Sequence, residues 1–237
     1  MILQSNYIPW LGYFSLISSA DVLVVLDSAK YTKNDWRNRN QLRGANGLFW
    51  LTIPIDRKST NSSIYNARVT DTGWASKHLA AIRGSLAKLD YAEHLFRFLE
   101  PIYATFADER SLHQINVKLI RDICQLMSIG TKIVLDTEVA SPELLARGVN
   151  PTHRLVEICK ELGARTYLTG PLALQYLELK RFRESSIEVA VADYSLLPTY
   201  PQKYREFFAN VSVLDFLAAV GAFDAGRLLQ STNIALN

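Results

Sequence analysis

Cysteine is scarce in this chain of 237 residues, which has only two. Cys124 and Cys159 do not form a CxxC pair, so neither a disulfide framework nor a cysteine metal site is expected. Each lies in an amphipathic helical pattern, which predicts buried free thiols in a reducing compartment. No metal ion is expected.

A strong excess of one charge is absent as well. The formal net charge is +3, so the composition does not by itself indicate a nucleic-acid-binding protein. No window holds the run of about 18 apolar residues that a membrane-spanning helix needs. The apolar N-terminus lacks a positive first segment, and Asn6, Pro9 and Asp21 interrupt it, which argues against a signal peptide. The sequence therefore predicts a cytoplasmic protein without membrane insertion.

Several well-defined catalytic motifs are missing too. The chain has no GxSxG, no HExxH, no P-loop and no complete GxGxxG. Covalent serine catalysis and zinc-dependent hydrolysis therefore have no support in the sequence.

Hydrophobic residues are plentiful, at 49% of the chain, and they occur in alternating strand and helix patterns. That alternation predicts an α/β fold with a mostly parallel, Rossmann-like open sheet and helices on both faces. The predicted strands cover residues 1–3, 22–26, 48–55, 132–137, 166–169 and 187–192.

Helical patterns over residues 74–127 interrupt the alternation and predict a helical insert, with a kink or restart at Pro101. We expect a single α/β domain over residues 1–237. Residues 56–66 are expected to form a polar loop. Further helices are predicted at 151–162 after an Asn150 N-cap, at 172–182 and near 213–220.

Residues 4–14, QSNYIPWLGYF, run from the end of the first predicted strand into a helical pattern. In an open parallel sheet, such a turn points the free N–H groups of a helix N-terminus towards a ligand above the strand ends. Its amide and phenol groups suit an oxygen-rich ligand, and Gln4, Tyr7, Trp10 and Gly12 are candidate binding residues. The alternative is an ordinary strand–loop–helix with aromatic packing.

A basic segment follows the second predicted strand, which ends before Asp27. Residues 30–43 hold five cations, two aromatic residues and three asparagines. Arginine binds phosphate or carboxylate through two parallel hydrogen bonds, whereas lysine adds a point charge. The alternative is a solvated basic loop. The candidate binding residues here are Lys33, Trp36, Arg37, Asn38 and Arg39.

Two weaker clusters lie in the second half of the chain. YLTG at 167–170 puts a strand end before a glycine turn, which predicts a second backbone cradle. TYPQ at 199–202 is an extended segment suited to lie across a cleft. The candidate binding residues are Tyr167, Gly170, Tyr176 and Gln202.

Six segments taken together resemble the WbqC-like protein family over essentially the whole chain. They are QSNYIPWLGYF at 4–14, WRNRN at 36–40, WLTIP at 50–54, YLTG at 167–170, YPQ at 200–202 and SVLDFL at 212–217. One departure is Ser5, where the family commonly has proline after the glutamine. This departure affects the stiffness of the turn.

The resemblance implies a setting and an activity. Members of the family are similar to proteins of bacterial O-antigen and capsule sugar biosynthesis, and some are described as glycine or aminoacyl transferases to amino sugars. The implied reaction is acyl or aminoacyl transfer, glycyl transfer included, to the amine of a nucleotide-linked amino sugar. The activated donor would be a thioester, an adenylate or an aminoacyl-tRNA, with a carrier protein or the charged tRNA as the partner that delivers it.

For this reaction, Lys33, Arg37 and Arg39 are expected to clamp phosphates, while Trp36 or Trp10 stacks on the base. These roles need the side chains to lie in one cleft.

The attacking amine must be unprotonated, so a base is required near it. Asp27 is the first candidate, because a carboxylate at a strand end lies in a partly dry cleft. His78 is the second, on the same helix face as Trp74, although a single helical histidine is more often structural. Asn6, Asn38 or N–H groups near Gly12 would hold the developing oxyanion.

Two other functions stay open. IPWLGY at 8–13 is faintly similar in placement to the HxGH turn of nucleotidylyltransferases and class I aminoacyl-tRNA synthetases, but Trp10 and Tyr13 occupy the histidine positions. An adenylate-forming or nucleotidylyl-transfer enzyme is therefore one alternative. The other is a non-catalytic sugar-nucleotide-binding protein.

The expected position of the site follows from the sheet. Loops that leave parallel strands at their C-terminal ends meet at one edge, so the largest pocket is expected there, lined by the 4–14 turn and the 27–40 loop. The side chains expected to converge on it are Asn6, Trp10, Asp27, Arg37 and Gly170.

Overall fold

The computed structural model of the chain describes residues 1–71, 73–204 and 206–231. Its strands are β1 (Ile2–Leu3), β2 (Val22–Val25), β3 (Arg39–Gly44), β4 (Gly47–Thr52), β5 (Lys132–Leu135), β6 (Thr166–Thr169) and β7 (Glu188–Val191). Its helices are α1 (Leu11–Ser18), α2 (Trp74–Leu86), α3 (Ala92–Thr105), α4 (Leu112–Leu126), α5 (Asp136–Val139), α6 (Pro142–Leu145), α7 (Pro151–Glu161), α8 (Leu179–Glu184), α9 (Val213–Val220) and α10 (Ala222–Ser231).

β2 is the centre of a three-stranded parallel sheet with the order β1-β2-β5. Val24 of this strand lies opposite Ile2 on one side and Val134 on the other. β6 and β7 form a second parallel pair, and β6 contacts β1. Parallel neighbours need crossover connections, and helices between the strands supply them.

Successive residues of β2 face two different cores. Leu23 and Val25 belong to the larger core, which is built with α1 to α4, α9 and α10. Val24 belongs to a second core with α7 and α8. A run of branched apolar residues is typical of a strand covered on both faces. The predicted α/β fold, with a parallel sheet between helices, is confirmed.

Residues 48–55, which were expected as the third strand, contribute to a separate hairpin. β3 and β4 are antiparallel, with Gly44 opposite Gly47 at the turn. Gly47 has a φ of +111°, which residues with a side chain rarely adopt, so this tight turn depends on glycine. The hairpin begins inside the segment that was expected to be a basic loop.

The predicted helical insert corresponds to α2, α3 and α4. α3 continues through Pro101 without a restart. Pro101 is exposed, so water can reach the carbonyl group that lacks its usual N–H partner. The assignment of the whole chain to one domain stays a prediction.

Helix ends were partly predictable. Asn150 caps α7 as expected, since its Oδ1 accepts a hydrogen bond from the N–H of His153 at 2.9 Å. Residues 172–182 were expected as one helix but form a short 3₁₀ helix, Pro171–Gln175, followed by α8. α10 was not predicted, and it packs on α1 and α9.

The two cysteines are buried free thiols, as expected. Burial raises the pKa of Cys124 to about 12 and that of Cys159 to about 11, so both thiols are protonated at neutral pH. None of the helices in the described residues has both the length and the apolar character that crossing a membrane requires.

Candidate functional site

A cavity of about 600 Å³, called here the Arg37 cavity, opens beside the C-terminal ends of β1 and β2. Gln4 and Asn6 follow β1, whereas Ala29 and Lys30 follow β2. The remaining wall includes Arg37, the N-terminal part of α7 with Pro151, Thr152, Arg154 and Leu155, and the three tyrosines Tyr13, Tyr167 and Tyr176. Two loops therefore meet at the sheet edge where α/β proteins commonly bind ligands.

Arg37 is held in a fixed orientation. One terminal nitrogen donates to Oδ1 of Asn6 at 2.9 Å, and the other donates to Oε1 of Gln4. The backbone carbonyl of Arg37 accepts a hydrogen bond from Nδ2 of Asn116 at 2.8 Å. An oriented guanidinium loses little conformational freedom when it binds an anion.

The Arg37 cavity carries an excess of positive charge. The charged side chains that line it are Lys30, Arg37, Arg154 and Glu178. Glu178 is already engaged, because its oxygens accept from Nε of Arg181 at 2.5 Å and from Nδ2 of Asn150 at 2.6 Å. The guanidinium of Arg154 donates to two carbonyl oxygens of the 144–146 segment. This cavity therefore suits an anionic ligand.

Of the three tyrosines that line the cavity, Tyr13 and Tyr167 are buried, whereas Tyr176 offers an exposed ring. Tyr167 is buried and stacks on Phe182, with ring centroids 5.0 Å apart. Tyr176 is 64% exposed and stands at the cavity wall. An exposed aromatic face beside cations favours a ligand that has both a ring and a phosphate.

Asp27 does not line the Arg37 cavity, because its side chain is completely buried. Oδ1 accepts from the backbone N–H of Ser5 at 2.9 Å, and Oδ2 accepts from the Ser5 hydroxyl at 2.7 Å. Oδ2 also lies 2.6 Å from Nδ1 of His113. The carboxylate thus fixes the turn after β1 and orients a histidine of α4.

His113 extends this buried polar group. An ionised carboxylate only accepts, so Nδ1 of His113 is the donor in this contact, and in the neutral imidazole Nε2 carries the lone pair. Among the described residues, no group forms a hydrogen bond with Nε2. The imidazole packs against Tyr65 with ring centroids 4.2 Å apart, and the Tyr65 hydroxyl donates to Oδ1 of buried Asp136 at 2.8 Å.

A second cavity of about 700 Å³, called here the Tyr65 cavity, lies beside this tyrosine. Ser28 lines the Tyr65 cavity, whereas Ala29 and Lys30 line the Arg37 cavity. The segment after β2 therefore separates the two cavities. The full lining is Ser28, Lys58, Asn61, Ser62, Ser63, Tyr65, Asn66, Thr137, Ala140, Pro142, Leu145, Ala146 and Arg147.

The two cavities are of similar size, and only the Arg37 cavity contains residues of the 4–14 turn, so the expectation that the largest pocket lies there stays a prediction. Residues 56–66, expected as a loop, form two short 3₁₀ helices, Arg57–Asn61 and Ile64–Asn66. They enclose space against α5 and α6, and no local pattern in the sequence indicates that contact.

The predicted site residues are only partly brought together. Those that line the Arg37 cavity are Gln4, Asn6, Arg37, Tyr167 and Tyr176. Those that line neither cavity are Tyr7, Trp10, Gly12, Asp27, Lys33, Trp36, Asn38, Arg39, His78, Gly170 and Gln202. The roles proposed for all of these residues stay predictions.

The basic segment is divided between two places. Arg37 enters its cavity, but the guanidinium of Arg39 lies over the Trp50 ring, 4.0 Å from its centroid. The ring centroids of Trp36 and Trp50 are 5.4 Å apart, and both indoles are about 40% exposed. Lys33 is exposed in the preceding turn. Arg39 and Trp36 therefore form an external stack rather than part of the cavity wall.

His78 and Tyr7 belong to a buried aromatic cluster. Nδ1 of His78 lies 2.9 Å from the Tyr7 hydroxyl, which lies 2.6 Å from that of Tyr103. Burial lowers the pKa of His78 to about 4, so its imidazole is neutral at pH 7. A hydrogen bond with the Thr52 backbone partly opposes this shift.

Three residues that the sequence predicts for the binding site take part in local packing. Trp10 precedes α1 and packs on Tyr194, with ring centroids 5.0 Å apart. A Cβ atom at Gly12 would collide with the Trp10 ring, so glycine is what allows this packing. A Cβ atom at Gly170 would come within 3.0 Å of the Tyr194 hydroxyl.

Two predicted amides hold backbone segments. Gln202 accepts from the N–H of Phe208 at 2.9 Å and donates to its carbonyl at 3.0 Å. Asn38 donates from Nδ2 to the carbonyl of Ile53 at 2.9 Å. Both side chains therefore contact protein groups.

Several residues of the site were not singled out in the sequence: Lys30, Tyr65, His113, Asn116 and Arg154. The Asn150 cap was a usable signal for Arg154, because it places that side chain near the start of α7. No comparable signal exists for His113, which is 86 positions from Asp27.

Chemically, this sheet edge combines an anion-binding cavity, aromatic faces and a buried Asp–His pair. The pair can accept a proton at Nε2 of His113 while Asp27 stabilises the resulting charge. Among the described residues, no group of three His, Cys, Asp or Glu side chains is placed to hold a metal ion.

Comparison with known proteins gives two matches. A model of the WbqC-like protein family matches residues 4–225. The chain is also 35% identical, over 224 residues, to the uncharacterized protein Rv1507c of Mycobacterium tuberculosis, and the alignment covers 93% of each chain. No solved structure matches the chain.

Proposed function

Because the chain belongs to the WbqC-like protein family, we propose that it transfers an acyl or aminoacyl group, such as glycyl, to the amine of a nucleotide-linked amino sugar used for surface polysaccharides. The observation that carries the proposal is the Arg37 cavity. Three cations and three tyrosines line it at the edge of a parallel sheet. A nucleotide sugar needs both kinds of contact.

The cations match the diphosphate of such an acceptor. Arg37 offers a guanidinium that Gln4 and Asn6 hold in place, while Lys30 and Arg154 add two further charges. Charge-assisted hydrogen bonds from oriented arginines to phosphate are among the stronger polar contacts in proteins. Tyr176, at the exposed wall, is the surface for the base or the sugar.

We assign the role of base to His113, with Asp27 as its positioning residue. Asp27 is sealed from solvent, and its oxygens already accept three hydrogen bonds. His113 is also buried and lines neither cavity, but among the described residues no group forms a hydrogen bond with its Nε2. His78 is a weaker candidate, because the Tyr7 hydroxyl and the Thr52 backbone occupy its ring nitrogens.

In the proposed step, the neutral amine of the sugar attacks the carbonyl carbon of the activated donor. A C–N bond forms, and the C–S or C–O bond to the carrier then breaks, with the bonding electrons leaving on the sulfur or oxygen. The proton lost by nitrogen passes to Nε2 of His113 and from there to the leaving group or to water.

The first experiment is a mass-detected transfer assay with UDP- and dTDP-linked amino sugars and a panel of activated acyl and aminoacyl donors. We expect a product heavier by one acyl group, formed only when the sugar has a free amine. The corresponding N-acetylated sugar nucleotides serve as the control.

Other results would point elsewhere. Tight binding of the sugar nucleotide with no product from any donor would identify a non-catalytic binding protein. Release of pyrophosphate from ATP without a sugar would indicate adenylate-forming chemistry, since the same cations can also bind a nucleoside triphosphate.

A further inference from the structure

We propose that the Tyr65 cavity is the donor subsite, and that its ligand is a small acyl donor whose carrier bears a phosphate. The inference rests on the proposed function, because acyl transfer requires two substrates at one centre. It concerns a cavity that shares no lining residue with the Arg37 cavity.

The charges at the Tyr65 cavity favour an anion. Lys58 and Arg147 are exposed at its wall, and neither forms an ion pair with a described carboxylate. No described Asp or Glu lines the cavity. Asp136, next to the cavity, is buried and accepts hydrogen bonds from the Tyr65 hydroxyl and from the N–H groups of Ser28 and Thr137.

The remaining lining resembles the surface that a carrier arm needs. The Tyr65 cavity has a volume of about 700 Å³, which is within the range of about 300–1,000 Å³ for small-molecule sites. The amides of Asn61 and Asn66 can pair with polar groups of the arm, and the apolar side of the cavity can pack on its methylene groups. That side consists of Ala140, Pro142 and Leu145.

Ser28 lines the Tyr65 cavity, and its chain neighbour Ala29 lines the Arg37 cavity. The Ser28 hydroxyl oxygen is buried and has no hydrogen-bond partner among the described residues. Buried hydroxyl groups are nearly always paired, so an unpaired one at a cavity wall is suited to a ligand oxygen. The carbonyl oxygen of a bound acyl group would supply that partner.

The Asp–His pair contacts residues beside both cavities, although neither Asp27 nor His113 lines either of them. On one side, Asp27 binds Ser5, whose neighbours Gln4 and Asn6 line the Arg37 cavity. On the other side, His113 packs on Tyr65 of the second cavity. The pair is thus connected to each cavity through a neighbouring residue, Ser5 on one side and Tyr65 on the other.

Isothermal titration with coenzyme A and with AMP tests the donor subsite. We expect one of these probes to bind, and the double variant Lys58→Ala/Arg147→Ala to bind it at least about tenfold more weakly. Lys180→Ala is the matched control, because this exposed lysine of α8 lines neither cavity and should leave affinity unchanged. Thermal unfolding of each variant verifies that it is folded.

The two probes identify the carrier. Binding of coenzyme A assigns a thioester donor, and binding of AMP alone assigns an adenylate. Failure of both probes to bind overturns the inference, as does equal binding by the double variant.

Competition separates this inference from the proposed function. A UDP-linked amino sugar should bind with the same affinity when the donor probe is saturating, because the two cavities are distinct. Mutual exclusion would put both ligands in one cavity and overturn the donor subsite. If the donor probe binds but no amino-sugar nucleotide does, the proposed acceptor fails while the anion site at Lys58 and Arg147 stands.

Discussion

Nδ1 of His113 lies 2.6 Å from Oδ2 of Asp27, although 86 positions separate the two residues in the sequence. The contact joins the end of the central strand β2 to the start of α4. It also leaves Nε2 of the histidine without a described partner. The same contact can stabilise the fold and prepare a base, and a pair of substitutions separates these two effects.

Asp27→Asn should reduce acyl transfer by a factor of about 10²–10⁴, the usual contribution of a general base. The amide cannot accept all three hydrogen bonds, because its nitrogen is a donor facing another donor. For the same reason we expect the free energy of unfolding to fall by about 3 kcal/mol. Single-turnover kinetics and urea denaturation measure the two effects.

Ser5→Ala is the control for this substitution. It removes the hydroxyl bond to Asp27 but leaves the His113 contact in place, so we expect a loss of stability of about 1 kcal/mol and activity within about tenfold of the wild type. If Asp27→Asn retained similar activity to Ser5→Ala, the pair would be purely structural.

Arg37→Ala should weaken binding of a UDP-linked amino sugar by about tenfold or more, because a charged hydrogen bond contributes about 1.5–3 kcal/mol. Arg39→Ala, which removes a cation from the external Trp50 stack, should leave affinity nearly unchanged. Titration calorimetry on both variants measures the difference. Equal losses would mean that the ligand extends beyond the Arg37 cavity to the indoles.

Local features of this fold could be predicted from the sequence. The strand at 166–169 and the helix at 213–220 have their expected bounds, since each depends on a short apolar pattern with clear ends. The convergence of Asn6 and Arg37 followed from a general rule about parallel sheets. The rule requires only the positions of the strand ends, and these can be predicted from the local sequence.

The partners within the site could not be predicted in this way. Arg37 and Arg39 are both cations in one basic segment, and only the path of the folded backbone sends one into the cavity and the other onto Trp50. The sequence predicts Asp27 in a partly dry cleft, because its sequence context shows the strand end alone. Its burial depends on Ser5 and His113, which come from other elements.

His78 should make the stability of the protein fall in acid. Its pKa is about 4 in the folded state against 6.5 for an unperturbed histidine, so between these values the unfolded chain binds a proton that the folded one does not. The contribution of neutral His78 to the free energy of unfolding is therefore fully present above about pH 6.5. It declines towards pH 4, by at most about 3 kcal/mol. His78→Gln should remove this component of the pH dependence, measured by urea denaturation from pH 4 to 8, whereas replacing exposed His94 by Gln should not.

Asp215 should have the opposite dependence. Burial raises its pKa from 3.8 to about 6, so the folded state holds a proton through this range that the unfolded state has lost. Stability falls as pH rises from about 4 to 6, and the ionised carboxylate costs up to about 3 kcal/mol at neutral pH. Asp215→Asn should therefore stabilise the protein at pH 7 and not at pH 4. A variant that is less stable than the wild type at pH 7 would contradict this.

Two glycine-to-alanine substitutions should shift stability in opposite directions. Gly84 is an exposed residue of α2, and a Cβ atom there would meet no atom within 4 Å. Gly84→Ala should raise the free energy of unfolding by about 0.5–1 kcal/mol, because alanine loses less backbone entropy in a helix.

Gly226 packs α10 against the end of α4, and a Cβ atom there would collide with the backbone carbonyl of Met127. Since a backbone atom cannot rotate away, Gly226→Ala should cost about 1–3 kcal/mol. Urea denaturation of both variants tests the pair, and a stabilised Gly226→Ala protein would show that α10 does not pack as closely as this.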